Sequence, residues 1–394
     1  MPEIVDLEAD DLLGGRLSPP RSTGAGNAAH RGPVAVDMDR DTLDEAYERL
    51  HKMGPEFGGD EEGNNGLSNH GPMAVEVMVR RGLDLDVEHW VDDYLPRLEE
   101  LPTPSDPISD ENWRAALGDG RRVADWTAYF SRQTAEQPWR DVLIAWWPRL
   151  LPGIAAGATH GVIRVSHAVR ALLAGDESPS AVAELAHGLA FWAGRSRTVP
   201  GVTAPTGRLD PAAALASIPR LDPQRGVIAS RLPRLAELPD WPAAVSALRP
   251  PGDPHDVPAL LAELVDAATI RYLTHGHGSP VLLVHTATAP NAVLHTLPAL
   301  PSALWSSSLT AAWAASAAVI AAYEPPSPGP YDQAPGSPLG GDTAAAALDR
   351  AAGHGDEHVL KFTDTAVEVF ERTGDPDALA AAARVAQLIS PRLS

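Results

Sequence analysis

Lys361 is one of two lysines in a chain of 394 residues; the other is Lys52, and arginine supplies the rest of the 31 basic residues. It stands in "DEHVLKFTDTAVEVF", three residues after His358, and a helix puts the pair one turn apart on one face. Lysine offers chemistry that arginine lacks. Burial disfavours the ammonium and lowers its pKa, whereas a guanidinium stays charged. The neutral amine adds carbon dioxide to form a carbamate, an anionic oxygen ligand that a metal ion stabilises. A carbamylated Lys361 beside His358 would give an imidazole-rich site its one negative ligand. The competing reading is a solvated lysine paired with Glu357 or Asp364.

Among the 14 histidines, a few stand where an imidazole must find a hydrogen-bond partner or a metal. His70 lies in "LSNHGPMAVE", where a glycine-rich loop feeds a helix. His160, Arg164 and His167 in "THGVIRVSHAVRAL" share one helix face at i, i+4 and i+7. His285 ends the apolar run "VLLVH". By contrast, His30, His51, His89 and His255 have polar surroundings and are expected to face solvent. The chain has no cysteine, so a metal held by imidazoles without thiolates would be iron, zinc, copper or nickel.

Familiar signatures are missing. There is no H-E-x-x-H; E-x-x-H occurs at Glu184 to His187 and at Glu48 to His51, and a di-iron bundle needs two further glutamates besides two such motifs. "HGD" at 354–356 matches half of a facial triad, whose usual β-jelly roll this composition does not support. No G-x-G-x-x-G, P-loop or G-x-S-x-G is present, so nothing is built to grip a dinucleotide or a nucleoside triphosphate.

Helices must position these residues. Apolar residues make up 44% of the chain; alanine and leucine dominate them, and segment after segment repeats at three- and four-residue spacing. The expected fold is mainly α: one large multi-helix domain over 33–394 with long Pro/Gly-rich loops, after a flexible tail at 1–32. Asp41 is the expected N-cap of a first helix over 41–53, and Gly82 the expected end of a helix beginning near Met73. "VLLVHTAT" fits a strand or a buried helix, and "EPPSPGPYDQAPGSPLGG" (324–341) reads as a loop or lid. The run "LTAAWAASAAVIAAY" (309–323) is too short and too alanine-rich for a membrane span. A formal charge of −21 argues against nucleic acid and anionic membrane as partners. The acidic N-terminus lacks a secretory signal, so a cytoplasmic protein is expected.

Several segments together, "AYERLHKMGPEFGG", "LSNHGPMAVEVMVRRG", "GATHGVIRVSHAVRAL", "VHTATAPNAV" and "EHVLKFT", resemble successive blocks of the questin oxidase-like family, over roughly residues 40 to 390. The resemblance implies a helical oxygenase of aromatic, anthraquinone-like polyketides that opens a ring by Baeyer–Villiger or dioxygenase-like chemistry. Dioxygen would be co-substrate and a mononuclear non-haem iron the cofactor. Carried over by position, the ligands would be His70, His160, His285, His358 and a carbamylated Lys361, with His295 in "AVLHTLPAL" the alternative to His285. Arg164 and His167 would be catalytic neighbours that orient ligands or a bound oxyanion. NADPH is the electron donor that a Baeyer–Villiger route would consume. Trp139, Trp146 and Trp147 would either wall a flat-ligand pocket or pack the helices. Two further readings stay open: a metal-dependent hydrolase with a carbamylated lysine, and a non-catalytic helical binding protein.

Overall fold

A computed structural model describes residues 33–56, 68–330 and 343–392. The tail expected at 1–32, the polar stretch 58–67 and much of the 324–341 loop lie outside the described residues. The rest is mainly α, as expected, with one two-stranded antiparallel sheet among the described residues. That sheet pairs Met53–Glu56 with Leu98–Glu100, and Glu56 faces Leu98. A continuous set of buried apolar residues runs from Leu43 to Ile389.

Four helices organise the centre: Gly71–Arg81, His160–Leu173, His285–Thr296 and Glu357–Thr373. The first packs on the second and the fourth, and the third packs on the same two, so the four close on themselves. The Gly71–Arg81 helix stops at Gly82, which adopts a left-handed φ of 60° and donates its N–H to Met78 and Val79 carbonyls. The "VLLVHTAT" run is helical, as Pro280–Leu283 followed by His285–Thr296. Its burial comes from neighbours on several sides, which erases the polar face that would have marked a helix.

Some expectations are corrected. The first helix begins at Pro33 and runs to Leu50, so Asp41 is an interior residue rather than a cap; proline suits a first helical turn, where its missing N–H costs nothing. Trp146 packs edge-on against Trp113, Trp126 and Phe130, and Trp147 against Trp192, so these rings are core. Trp139 is buried and donates its indole N–H to Glu177. The segment Ser302–Tyr323 is long and apolar enough to cross a membrane by composition, yet 67% of its apolar window is buried inside the protein. Alanine lets neighbouring helices approach it closely, and it serves as a core helix.

Candidate metal centre

All four histidines singled out from the sequence stand where a helix begins. His70 is the residue before Gly71–Arg81, His160 and His285 each open their helix, and His358 is the second residue of Glu357–Thr373. Local chemistry holds each in place. Asn69 accepts the Gly71 N–H at 3.1 Å, and the His70 N–H donates to the Tyr94 hydroxyl at 2.6 Å. A Cβ at Gly71 would lie 2.6 Å from Leu50 and 2.8 Å from Tyr94, so only glycine fits beneath His70. Asp356 caps the last helix by accepting the His358 and Val359 N–H groups at 2.9 and 3.2 Å.

His160 is presented differently. Gly157, Ala158 and Thr159 all have left-handed φ, at 51°, 57° and 73°. Two successive non-glycine residues there cost on the order of 1–2 kcal/mol each. Backbone strain of this kind collects at functional sites. The tight turn brings the Gly157 carbonyl onto His160 Nδ1.

The imidazoles converge. His70 Nε2 lies 2.8 Å from His160 Nε2, and His285 Nε2 lies 3.0 Å from the same atom. His358 offers a ring nitrogen within 4.8 Å of ligand nitrogens on both His70 and His160. Each outward Nδ1 meets an oxygen: Glu56 Oε1 at 2.8 Å for His70, the Gly157 carbonyl for His160, and the Leu282 carbonyl at 3.1 Å for His285. An Nδ1 facing a carboxylate or carbonyl must carry the ring proton. The three Nε2 atoms therefore turn lone pairs toward one another.

Protonation does not relieve that crowding. Burial holds His70, His160 and His285 well below the usual imidazole range, and neighbouring positive charge, from Lys361 and the other histidines, pushes the same way. A cation at the convergence point would satisfy every lone pair. The donor set fits a metal ion on its own chemistry.

Lys361 is not on a solvated face. It is 2% exposed, and its Nζ has no hydrogen-bond partner. Burial lowers its pKa to about 8, with Glu357, Asp356 and Glu56 acting in the opposite direction. Asp364, the partner imagined for a surface lysine, binds Arg80, Arg81 and Arg170 instead. The amine is thus buried, largely uncharged at mildly alkaline pH and one turn below His358.

Other expected site residues lie elsewhere. His295 sits 3.0 Å from Glu368, far along its helix from His285, so His285 is the histidine against His160. Arg164 forms a two-pronged pair with Glu184 at 2.6 and 2.8 Å, and His51 binds the same carboxylate at 2.8 Å. His51 is consequently mostly buried, against expectation, and stacks on His187 at 4.4 Å. His167 bonds to Glu76 at 2.7 Å; its pKa falls to about 4 through burial and the adjacent Arg170. Among the described residues, neither Arg164 nor His167 hydrogen-bonds to a histidine of the cluster, so neither orients a ligand directly. The face they share with His160 is real, but seven residues carry His167 about 10 Å along the axis. His89 and His255 are exposed as expected.

Glu56 was not foreseen. It accepts from His70 Nδ1, the Tyr94 hydroxyl at 2.5 Å and Arg97 at 3.0 Å. Its place at the end of a four-residue strand leaves almost no pattern to read. A cavity of about 590 Å³, lined by Asn69, Arg164, His187, Phe191 and Arg195 among others, reaches residues next to the cluster, although neither the cluster histidines nor Lys361 line it. Asn69 adjoins His70, and Phe191 packs over Gly157, whose carbonyl holds His160.

No curated protein was found to match the chain. The region that matches a known family takes in His160, His285, His358 and Lys361 but begins beyond His70. Residues 87–365, well over half of the chain, match the Questin oxidase-like family, so the chain belongs to that family, which points to an oxidoreductase.

Proposed function

We propose that this protein is a non-haem iron oxygenase acting on an aromatic, anthraquinone-like polyketide. In this reading His70, His160, His285, His358 and a carboxylated Lys361 hold one iron. The observation that carries it is the meeting of imidazole lone pairs at 2.8 and 3.0 Å, with an unpartnered buried amine beside them. The nitrogens meet at one point, His160 Nε2, which suits one ion held by imidazoles and disfavours the two-metal hydrolase reading. A binding protein with core histidines is disfavoured as well, because such histidines pair donor with acceptor.

Lys361 would supply the negative ligand. Its neutral nitrogen adds to the carbon of carbon dioxide, one C=O electron pair moves onto oxygen, and the proton leaves to water. Iron, when bound, would supply the dioxygen chemistry. The chain's own residues do the remainder: Glu56 and the Gly157 and Leu282 carbonyls keep the ring protons on the outward nitrogens, and buried apolar walls exclude bulk water. The adjoining cavity is the substrate chamber in this reading. Its volume suits a flat polycyclic phenol.

Elemental analysis of freshly purified protein tests the proposal, together with dioxygen uptake on adding a hydroxyanthraquinone. One iron per chain and uptake that stops on chelation are expected. Two zinc ions per chain, or full uptake by iron-free protein, would reject it.

A further inference from the structure

The 590 Å³ cavity holds a polar group that neither the metal centre nor the fold uses. His187 lies on the helix Pro179–Gly194, one turn after Glu184, and lines the cavity together with Phe191, one further turn along the same face. Among the described residues its ring stacks on His51 and makes no hydrogen bond. Four other polar side chains of the wall are engaged. Arg164 grips Glu184 with two hydrogen bonds. Asn69 accepts the Gly71 N–H and donates to the Leu50 carbonyl. Asp119 binds Arg121 at 2.9 and 2.7 Å, and the Thr127 hydroxyl donates to the Val123 carbonyl at 2.9 Å.

The His187 ring is also held in place. His51 stacks on it at 4.4 Å with the planes 15° apart, and the 2.8 Å bond to Glu184 fixes His51 in turn. Burial, then the nearby His51 and Arg164, keep the His187 pKa well below the usual imidazole range, with Glu184 acting in the opposite sense. A neutral imidazole carries one N–H and one bare lone pair. On a cavity wall that lone pair is an acceptor for a hydroxyl, and without charge the ring has little hold on an anion. Phe191 beside it offers an apolar ring that packs over Gly157, whose carbonyl holds His160. A flat ligand anchored on His187 and laid along Phe191 would extend toward the edge of the imidazole cluster.

We propose that His187 is a specificity-determining residue of the chamber. Its ring nitrogen accepts a hydrogen bond from a free phenolic hydroxyl of a polycyclic aromatic substrate, and so selects that substrate over its O-alkylated form. This rests on the reading of the cavity as the substrate chamber, to which it adds the group recognised there. The O-alkyl form would leave the buried imidazole lone pair unpaired, which is how a polar site rejects an analogue that lacks its donor.

The test measures binding rather than turnover. Purified iron-containing protein, with dioxygen removed, is equilibrated by dialysis against 2-hydroxyanthraquinone or 2-methoxyanthraquinone. A mildly acid buffer keeps the phenol un-ionised, and burial keeps His187 neutral there. Wild type should bind the hydroxy ligand about tenfold more tightly than the methoxy ligand, as expected for one hydrogen bond. His187→Phe, which keeps a ring to stack on His51, should bring the two ligands to nearly equal affinity. His187→Gln, which returns an acceptor to the wall, should recover most of the wild-type preference. Helical circular dichroism and iron content should be unchanged in both variants. A preference undiminished in His187→Phe would mean that size rejects the methyl group, and would overturn this inference alone, as would equal affinities in wild type or no recovery in His187→Gln. Wild type that binds neither ligand would overturn the chamber reading, and this inference with it.

Discussion

The same four helices carry two polar layers, roughly 9–10 Å apart, and the layers are satisfied in opposite ways. The upper layer is His70, His160, His285 and His358. Six or seven residues further along each helix come Glu76, His167, Asn291 and Asp364. In the lower layer every charge is answered: Glu76 by Arg80, Arg170 and His167, and Asp364 by Arg80, Arg81 and Arg170. Guanidiniums outweigh burial there and hold the Glu76 carboxyl at about 2. In the upper layer lone pair faces lone pair, with the counter-charges Glu56, Asp356 and Glu357 on the outer side of the rings. A layer that closes on itself is structure. One that leaves convergent acceptors open is, in the proposed reading, a receptor for a cation.

His160→Ala should break the upper layer most severely. Its nitrogen is the one both His70 and His285 approach, so metal content should fall from one ion per chain to nearly none, while the metal-free protein keeps its helical circular dichroism. Retained stoichiometry on elemental analysis would remove the ligand assignment. Asp364→Asn is the matching insult to the lower layer. It leaves buried guanidiniums without their carboxylate and should cost about 3–5 kcal/mol in urea unfolding. The folded fraction should still bind one metal per chain. If the two substitutions gave the same pair of readouts, the division into structural and receptive layers would be wrong.

Much of this was legible in the chain and some was not, for identifiable reasons. Residue type exposed Lys361, because a lone buried lysine among arginines has chemistry that arginine lacks. Helical period placed His358 above Lys361 and His160 on a face with Arg164 and His167. Period gives a face but not a depth, which is why Arg164 and His167 looked like ligand neighbours when they lie one and two turns away. Glu56 depends on a strand too short to leave an alternation. The left-handed run before His160 contains alanine and threonine, which give no sign of a positive φ. The tryptophans were ambiguous because size and burial look alike for a packing ring and a pocket wall.

Acid sharpens the comparison with the smallest effect per unit change. Histidines whose folded pKa lies below 6.5 bind fewer protons than the unfolded chain once the pH drops beneath that value, so the metal-free upper layer should lose stability from about pH 6.5 downward. Glu76, lowered from 4.5 to about 2, contributes stability that is fully present above pH 4.5 and is lost as the pH falls toward 2. His167 of the lower layer, with its pKa lowered to about 4, shares the window that opens at pH 6.5, and only the lower layer's carboxylate is confined to the more acid one. Between pH 6.5 and 4.5, His160→Ala should make the loss of stability shallower by one proton, about 1.4 kcal/mol per pH unit, and Glu76→Gln should leave that slope alone. Below pH 4.5 Glu76→Gln should flatten the curve relative to wild type, because the variant has no carboxyl to protonate there. Urea titrations of metal-free protein across both windows read this directly. A single common window for both variants would mean that the layers titrate as one network, and that the upper imidazoles are paired like the carboxylates beneath them.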